Sequence, residues 1–272
     1  TQNLIVKAVK INDGRLRYKI DRNKIKKIIG LRFKKISRRS KYLLFYFNKD
    51  IVMLVHLGMT GKFFFINRKR TKYKTSFYYN INEEKDKKHD RIIFDLSNNQ
   101  KLIYNDIRKF GFIKFIKQVN LEQNTHLKCL GPEPLSNKFN FEYFKNYIKR
   151  RERTIKDLLM DQKFIAGLGN IYVNEILFFS GVRPSKKVKK ITNSEIQKII
   201  KFSKKIISKA IILGGSSIKD FSSSSGKKGS FQQHFSVYGK KGENCFKVTC
   251  SGKIRKIVIA NRASFFCNKC QK

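Results

Sequence analysis

The chain has 272 residues, enough for two or three separate cores, and its 62 Lys and Arg against 19 Asp and Glu leave a formal charge of +43. Such an excess repels itself and calls for a polyanionic partner, nucleic acid before an anionic membrane surface. No run approaches the ~20 uncharged apolar residues of a membrane span and no signal peptide is read at the start, so the membrane reading is weak. The wealth of Lys, Ile, Asn and Phe without any Trp fits A·T-rich coding, and many single lysines are expected to be no more than solvated surface.

Residues 1–117 read as strands. KYLLFYF (41–47) meets a turn at Asn48-Lys49-Asp50, followed by IVMLVHL (51–57), a Gly58…Gly61 turn and KFFFI (62–66). RIIFDL (91–96) and KLIYN (101–105) flank Ser97-Asn98-Asn99, and FIKFI follows Gly111. Short β-branched and aromatic runs with Gly/Asn/Asp punctuation predict an antiparallel β-sandwich. NRKRTKYKTS and NEEKDKKHD read as mobile basic loops between the strands.

The apolar period then changes. FEYFKNYIKR, TIKDLLMDQ and NIYVNEILFFSG carry apolar residues three and four apart, as helices do. Thr192-Asn193-Ser194-Glu195 is a capping box that opens a long helix, stopped by Gly214-Gly215. A polar loop, SSSSGKKGS, precedes the last segment. The expectation is an α+β multidomain protein: a β-sandwich at 1–117, a helical domain at 118–231 and a metal-clipped β-hairpin at 232–272.

Four of the five cysteines form C-x4-C-x16-C-x2-C at the end of the chain: Cys245, Cys250, Cys267 and Cys270. Two knuckles flanking the alternating segments KIRKIVIA and RASFFC present four thiolates, the ligand set of one structural Zn2+ in a reducing compartment. Four unrelated thiols are the alternative, which the clustering disfavours. The first knuckle has four intervening residues where two is commoner. Cys129, standing apart in HLKCLG, is expected to be a buried thiol.

The series GRLR (14–17), RRSKYLL (38–44), HLGMTG (56–61), KHD (88–90) and DIRKFG (106–111) is in the order of a known family. LGPEPL (130–135), MDQKFIAGLGNIYVNEILF (160–178), VYGKKG (237–242) and the cysteine hairpin continue it. Together they resemble the formamidopyrimidine-DNA glycosylases. That resemblance implies a bifunctional glycosylase and AP lyase of base-excision repair, acting on double-stranded DNA that carries oxidised purines or abasic sites. It further implies a monomer in the bacterial cytoplasm, associated with the nucleoid through DNA, with no membrane partner.

A base inside a duplex is out of reach, so such an enzyme must extrude it and plug the gap. By the resemblance Met59, Arg108 and Phe110 form the plug. Met59 and Phe110 would read equally well as core side chains, but their Gly-bounded turns favour exposure. His89, Arg108 and Arg151 would contact DNA, and Lys156, Asn170 and Arg262 would grip the backbone beside the lesion. Asn170 is expected to cap the helix that follows it. Glu175 would orient the site, and Lys41, with Arg262, would assist catalysis. Ser216, Ser217 and Tyr238 fall in a segment matching the family's lesion-capping loop, whose Ser/Gly composition suits a lid. The family's nucleophile is an N-terminal proline followed by glutamate. This sequence opens Thr1-Gln2-Asn3-Leu4, so the chain as printed is expected to bind DNA without cleaving it. A non-catalytic lesion-binding protein and a zinc-ribbon RNA-binding module are the readings left beside it.

Overall fold

A computed structural model describes residues 2–66, 72–74, 87–215 and 231–272, with the backbone alone at 72–74 and 232. Residues 216–230, which include Ser216 and Ser217, and most of the two basic loops lie outside the described residues. The described residues up to Lys128 form one compact unit and those from Cys129 onward form another.

The first unit is an antiparallel β-sandwich. One sheet has the order β1-β7-β8-β5-β6, from β1 (Val6–Ile11), β7 (Asp90–Leu96), β8 (Gln100–Asn105), β5 (Lys62–Ile66) and β6 (Lys72–Lys74). The other runs β2 (Phe33–Arg39), β3 (Tyr42–Phe47), β4 (Ile51–His56) and β9 (Phe112–Lys117). Phe33, Phe45, Phe47, Met53 and Val55 from one sheet meet Phe63, Ile92, Phe94 and Tyr104 from the other in a shared core. The uninterrupted apolar run of β4 has its reason in a second cluster. Val52 and Leu54 point to the opposite face, where Leu44, Phe112 and the partly buried Leu121 and Leu127 cover them. The turns predicted at Lys49-Asp50 and Asn98-Asn99 are present with positive φ at all four residues.

Four elements of this unit escaped the sequence pattern: β1, β2, the short helix α1 (Arg22–Lys26), capped by Asp21, and β6, which pairs with β5 inside the run NRKRTKYKTS that reads as a loop. In FKKISRR most exposed positions are Lys and Arg, so the strand reads as a basic loop until Phe33 is seen buried.

The second unit holds α2 (Phe141–Ile148), α3 (Ile155–Met160), α4 (Asn170–Ser180) and α5 (Asn193–Ile212). The capping box is made in full by Thr192 and Glu195, and Gly214 and Gly215 follow in left-handed conformations. Packed on α4 is the hairpin of β10 (Ile254–Ile259) and β11 (Arg262–Cys267), joined by two residues of positive φ, Ala260 and Asn261. Phe178 of α4 joins Val237, Ile254, Phe265 and Cys267 in one apolar cluster. Cys129 is exposed, contrary to expectation: it lies in a run of turns at 121–129, where no periodic element turns it inward. Among the described residues no helix is long and apolar enough to cross a membrane.

Candidate nucleic-acid interface

In the sandwich unit, two turns carry the predicted plug. Gly58 takes φ +65°, and a Cβ there would lie 2.6 Å from the backbone of Phe110 and Gly111, so only glycine lets the turns touch. Below them sits the buried carboxylate of Asp106. It accepts from the Thr60 hydroxyl, from the Gly111 N–H at 2.9 Å and from the Tyr104 hydroxyl at 3.3 Å. The Arg108 N–H donates back to Thr60 Oγ1 at 3.0 Å, closing the two turns on one another. Burial beside that carboxylate pushes the Tyr104 phenol far above its usual range.

On this base the three side chains stand outward together. The Arg108 guanidinium lies 3.2 Å from Met59 Sδ and 4.5 Å from the centre of the Phe110 ring. Met59 is 64% exposed and Phe110 47%, a large cost for apolar side chains unless something covers them.

The same base reaches His89. Arg91, itself buried, donates through Nε to the Asp106 carbonyl at 2.8 Å and through Nη2 to His89 Nδ1 at 3.2 Å. Asp13 gathers Arg15, Arg91 and Lys109, and the Arg15 and Lys109 cations hold its carboxyl well below the usual range. Lys41 sits in the β2–β3 turn, next to Tyr42, which pairs with His56 across β3 and β4. His56 accepts the Gly58 N–H at 3.0 Å through Nδ1 and stacks on Phe112. Burial first, then the Lys41 and Arg17 charges, pushes its pKa down.

In the helical unit, the residues converge on the hairpin. Lys156 of α3 is fully buried and donates at 2.7 Å both to the Ala263 carbonyl and to Ser264 Oγ. Burial and the nearby Arg262 charge lower its pKa to about 7. Asn170 donates to the same Ala263 carbonyl at 3.1 Å. It does not cap α4: the cap is Gly169, without a side-chain bond, and Asn170 is the first helical residue, its amide taken by the hairpin instead. Asn174, one turn on, donates to the Asn170 carbonyl and accepts the Phe265 N–H at 2.7 Å. Arg262 emerges exposed just after the tip that these bonds hold.

Glu175 is buried and accepts three successive N–H groups, from Ser236, Val237 and Tyr238, at 2.8–3.0 Å. Burial raises its pKa, although the three donors pull the other way. Tyr238 packs edge-on against Phe265. Arg151 lies just past α2, stacked over Tyr147 at 4.2 Å and donating to the Tyr147 carbonyl.

The four cysteine sulfurs lie within 4.8 Å of one another, with Cys245–Cys270 at 3.8 Å and Cys250–Cys267 at 3.6 Å. Tetrahedral Zn–S bonds of ~2.3 Å place sulfur pairs roughly 3.8 Å apart, so the set fits one structural zinc. The longer first knuckle does not spoil this. It closes through Cys250 N–H to the Lys247 carbonyl and displays its extra residues, Phe246 and Val248, to solvent.

Asp106, Thr60, Arg91 and Asn174 were not singled out from sequence. Thr60 and Asp106 stand inside quoted motifs but 46 residues apart, and nothing in the pattern pairs them.

A sandwich followed by helices and a four-cysteine hairpin defines a zinc-bearing, helix–two-turn–helix DNA-binding architecture. Residues 1–113 match the formamidopyrimidine-DNA glycosylase N-terminal domain and residues 130–222 match that family's H2TH domain. The formamidopyrimidine-DNA glycosylase of Rickettsia massiliae is 39% identical over 268 residues, 98% of this chain and 90% of that protein. Its counterpart from Roseobacter denitrificans is 32% identical over 271 residues, 100% of this chain and 94% of that protein. A mutant of Lactococcus lactis FPG in complex with a Fapy-dG containing DNA superposes with a TM-score of 0.83 at 31% identity, covering 100% of this chain and 93% of that one. The Lactococcus lactis Fpg complex with abasic-site DNA gives 0.81 at 30% identity, covering 99% and 93%. The chain belongs to the formamidopyrimidine-DNA glycosylase family.

Proposed function

We propose that this protein excises oxidised purines, 8-oxoguanine and formamidopyrimidines, from duplex DNA and cleaves the resulting abasic site by β,δ-elimination. The observation that carries the reading is the exposed Met59–Arg108–Phe110 ledge over a buried, fully occupied carboxylate. Two solvent-facing apolar side chains beside a guanidinium, on turns that cannot move apart, suit insertion into a base stack and pairing with the orphaned base.

The other residues divide the remaining work. His89 and Arg151 bind phosphates, Arg262 and Asn170 hold the backbone beside the extruded nucleotide, and Lys156 supports them by bracing the hairpin that carries Arg262. Lys41 touches the damaged base and assists elimination, and Glu175 fixes Ser236 to Tyr238, the end of the proposed lesion-capping segment. The metal supplies no chemistry, only a folded hairpin. In the family an N-terminal proline amine attacks C1′, the base departs, and the iminium acidifies the neighbouring protons so that the two phosphates leave in turn. The protein works in the bacterial cytoplasm on nucleoid DNA.

Two measurements test this. The chain should bind a duplex with an abasic-site analogue at least tenfold more tightly than the intact duplex; equal binding would reduce it to a nonspecific basic protein. A version beginning Pro-Glu should be trapped on abasic-site DNA by borohydride. Tight lesion binding without an adduct would leave a non-catalytic lesion binder.

A further inference from the structure

Beside Ser236, whose N–H Glu175 holds, the helical unit has a cavity of about 340 Å³ walled largely by aromatic rings, none of which has been given a role of its own above. Phe179 lies in the last turn of α4, Phe202 on α5, Phe231 and Phe235 just ahead of the hairpin segment, and Phe246 in the long first knuckle. Phe179 stacks on Phe202 at 5.7 Å, and Phe231 meets Phe235 edge-on at 5.8 Å, so two pairs of rings form its sides. Phe246 is 65% exposed although it lines the cavity, and Lys247 anchors its knuckle over the Phe178 ring. The rim is cationic. Lys205 and Lys209 lie three and seven positions after Phe202 on α5, and Lys240 completes it. Among the described residues Lys205 and Lys209 make no ion pair, while Lys240 has only a distant partner, Glu243 at 3.8 Å.

We propose that this cavity docks an acidic segment of a partner protein through one aromatic or large aliphatic side chain, with flanking Asp or Glu on the lysine rim. Charge complementarity selects the acidic flanks, because Lys205 and Lys209, without an ion pair among the described residues, line the opening with Lys240 and steer an oppositely charged chain. The apolar walls select the anchor. A phosphate backbone has nothing to place among five phenyl rings, whereas a buried aromatic anchor ringed by polar contacts is the usual centre of a protein interface. At the low end of ligand-pocket sizes, the volume suits one or two side chains rather than an extended ligand.

The test is fluorescence anisotropy on the zinc-loaded chain at physiological salt, with a labelled nonapeptide of Asp and Glu around a single Phe. The same peptide with Ala in place of Phe is the comparator. The Phe peptide should bind at least tenfold more tightly. Phe246→Ala, or Lys205→Gln with Lys209→Gln, should weaken it about tenfold. The control pair Lys198→Gln and Lys201→Gln, of equal charge change on the same helix, should leave it within twofold. Duplex affinity and melting temperature should stay within error in all three. Equal binding of the two peptides, or equal loss in the control pair, would show charge attraction alone and overturn the proposal. Parallel loss of duplex affinity would overturn it too, by making the surface part of the nucleic-acid interface.

Discussion

The sandwich ledge and the hairpin anchor reach a similar end by opposite means. At the ledge, the side chains assigned to DNA are exposed and the support lies underneath, in Asp106 and Thr60. At the anchor, Lys156 is itself buried and spends two hydrogen bonds on holding Ala263 and Ser264, while the exposed cation is Arg262. A motif residue is therefore either the tool or the vice. A side chain that must enter a base stack has to wait in water, so its precision comes from the turn below it. A side chain that aims a hairpin can be buried, and burial makes its bonds strong.

The contrast can be broken most severely at the metal. Cys267→Ser or strong chelation should unfold the hairpin, since structural zinc contributes on the order of 10 kcal/mol to such folds. Duplex affinity should fall at least a hundredfold. Retained affinity after verified metal loss would mean that the anchor does not depend on the clip.

Next is the support of the ledge. Asp106→Ala leaves the Thr60 and Tyr104 hydroxyls and the Gly111 N–H without their acceptor, and should cost about 3 kcal/mol in denaturant unfolding. A loss below about 1 kcal/mol would show that other contacts hold the turns. The ledge itself should behave in reverse. Met59→Ala and Phe110→Ala should change stability by no more than ~0.5 kcal/mol, as surface substitutions do, yet weaken lesion-duplex binding about tenfold. If stability falls instead, these side chains are packing residues.

The last effect is a pH slope. The folded pKa of Lys156 is about 7, against ~10.4 for a free lysine, so between those values the unfolded chain holds the extra proton. The penalty is full below pH 7 and fades as pH rises towards 10, so stability should rise over that window. Unfolding free energies at pH 7 and pH 9 should show this rise, and Lys156→Met should flatten it. An identical slope in the variant would assign it to other groups.

Much of the architecture was legible in the chain. The runs that became β3, β4, β5, β7, β8 and β9 carry their own punctuation, and the capping box at Thr192 needs only four residues to state itself. β1 and β2 were hidden because lysine and arginine take most of their exposed positions, and β6 because it lies in a basic run, all indistinguishable from loop in so basic a protein. Cys129 was misplaced because a thiol's burial depends on its segment, and that segment is turns.

By itself, the sequence determined the local elements, the four metal ligands and the membership of motifs, because each is set by residue type at short spacing. Only the tertiary structure decided which motif residues face water and which brace their neighbours. Asp106 serves Thr60 across 46 positions, and Lys156 and Asn170 meet at Ala263 across 107 and 93. A buried hydrogen bond is made by whatever group the fold brings within about 3 Å, and separation along the chain carries no record of that distance.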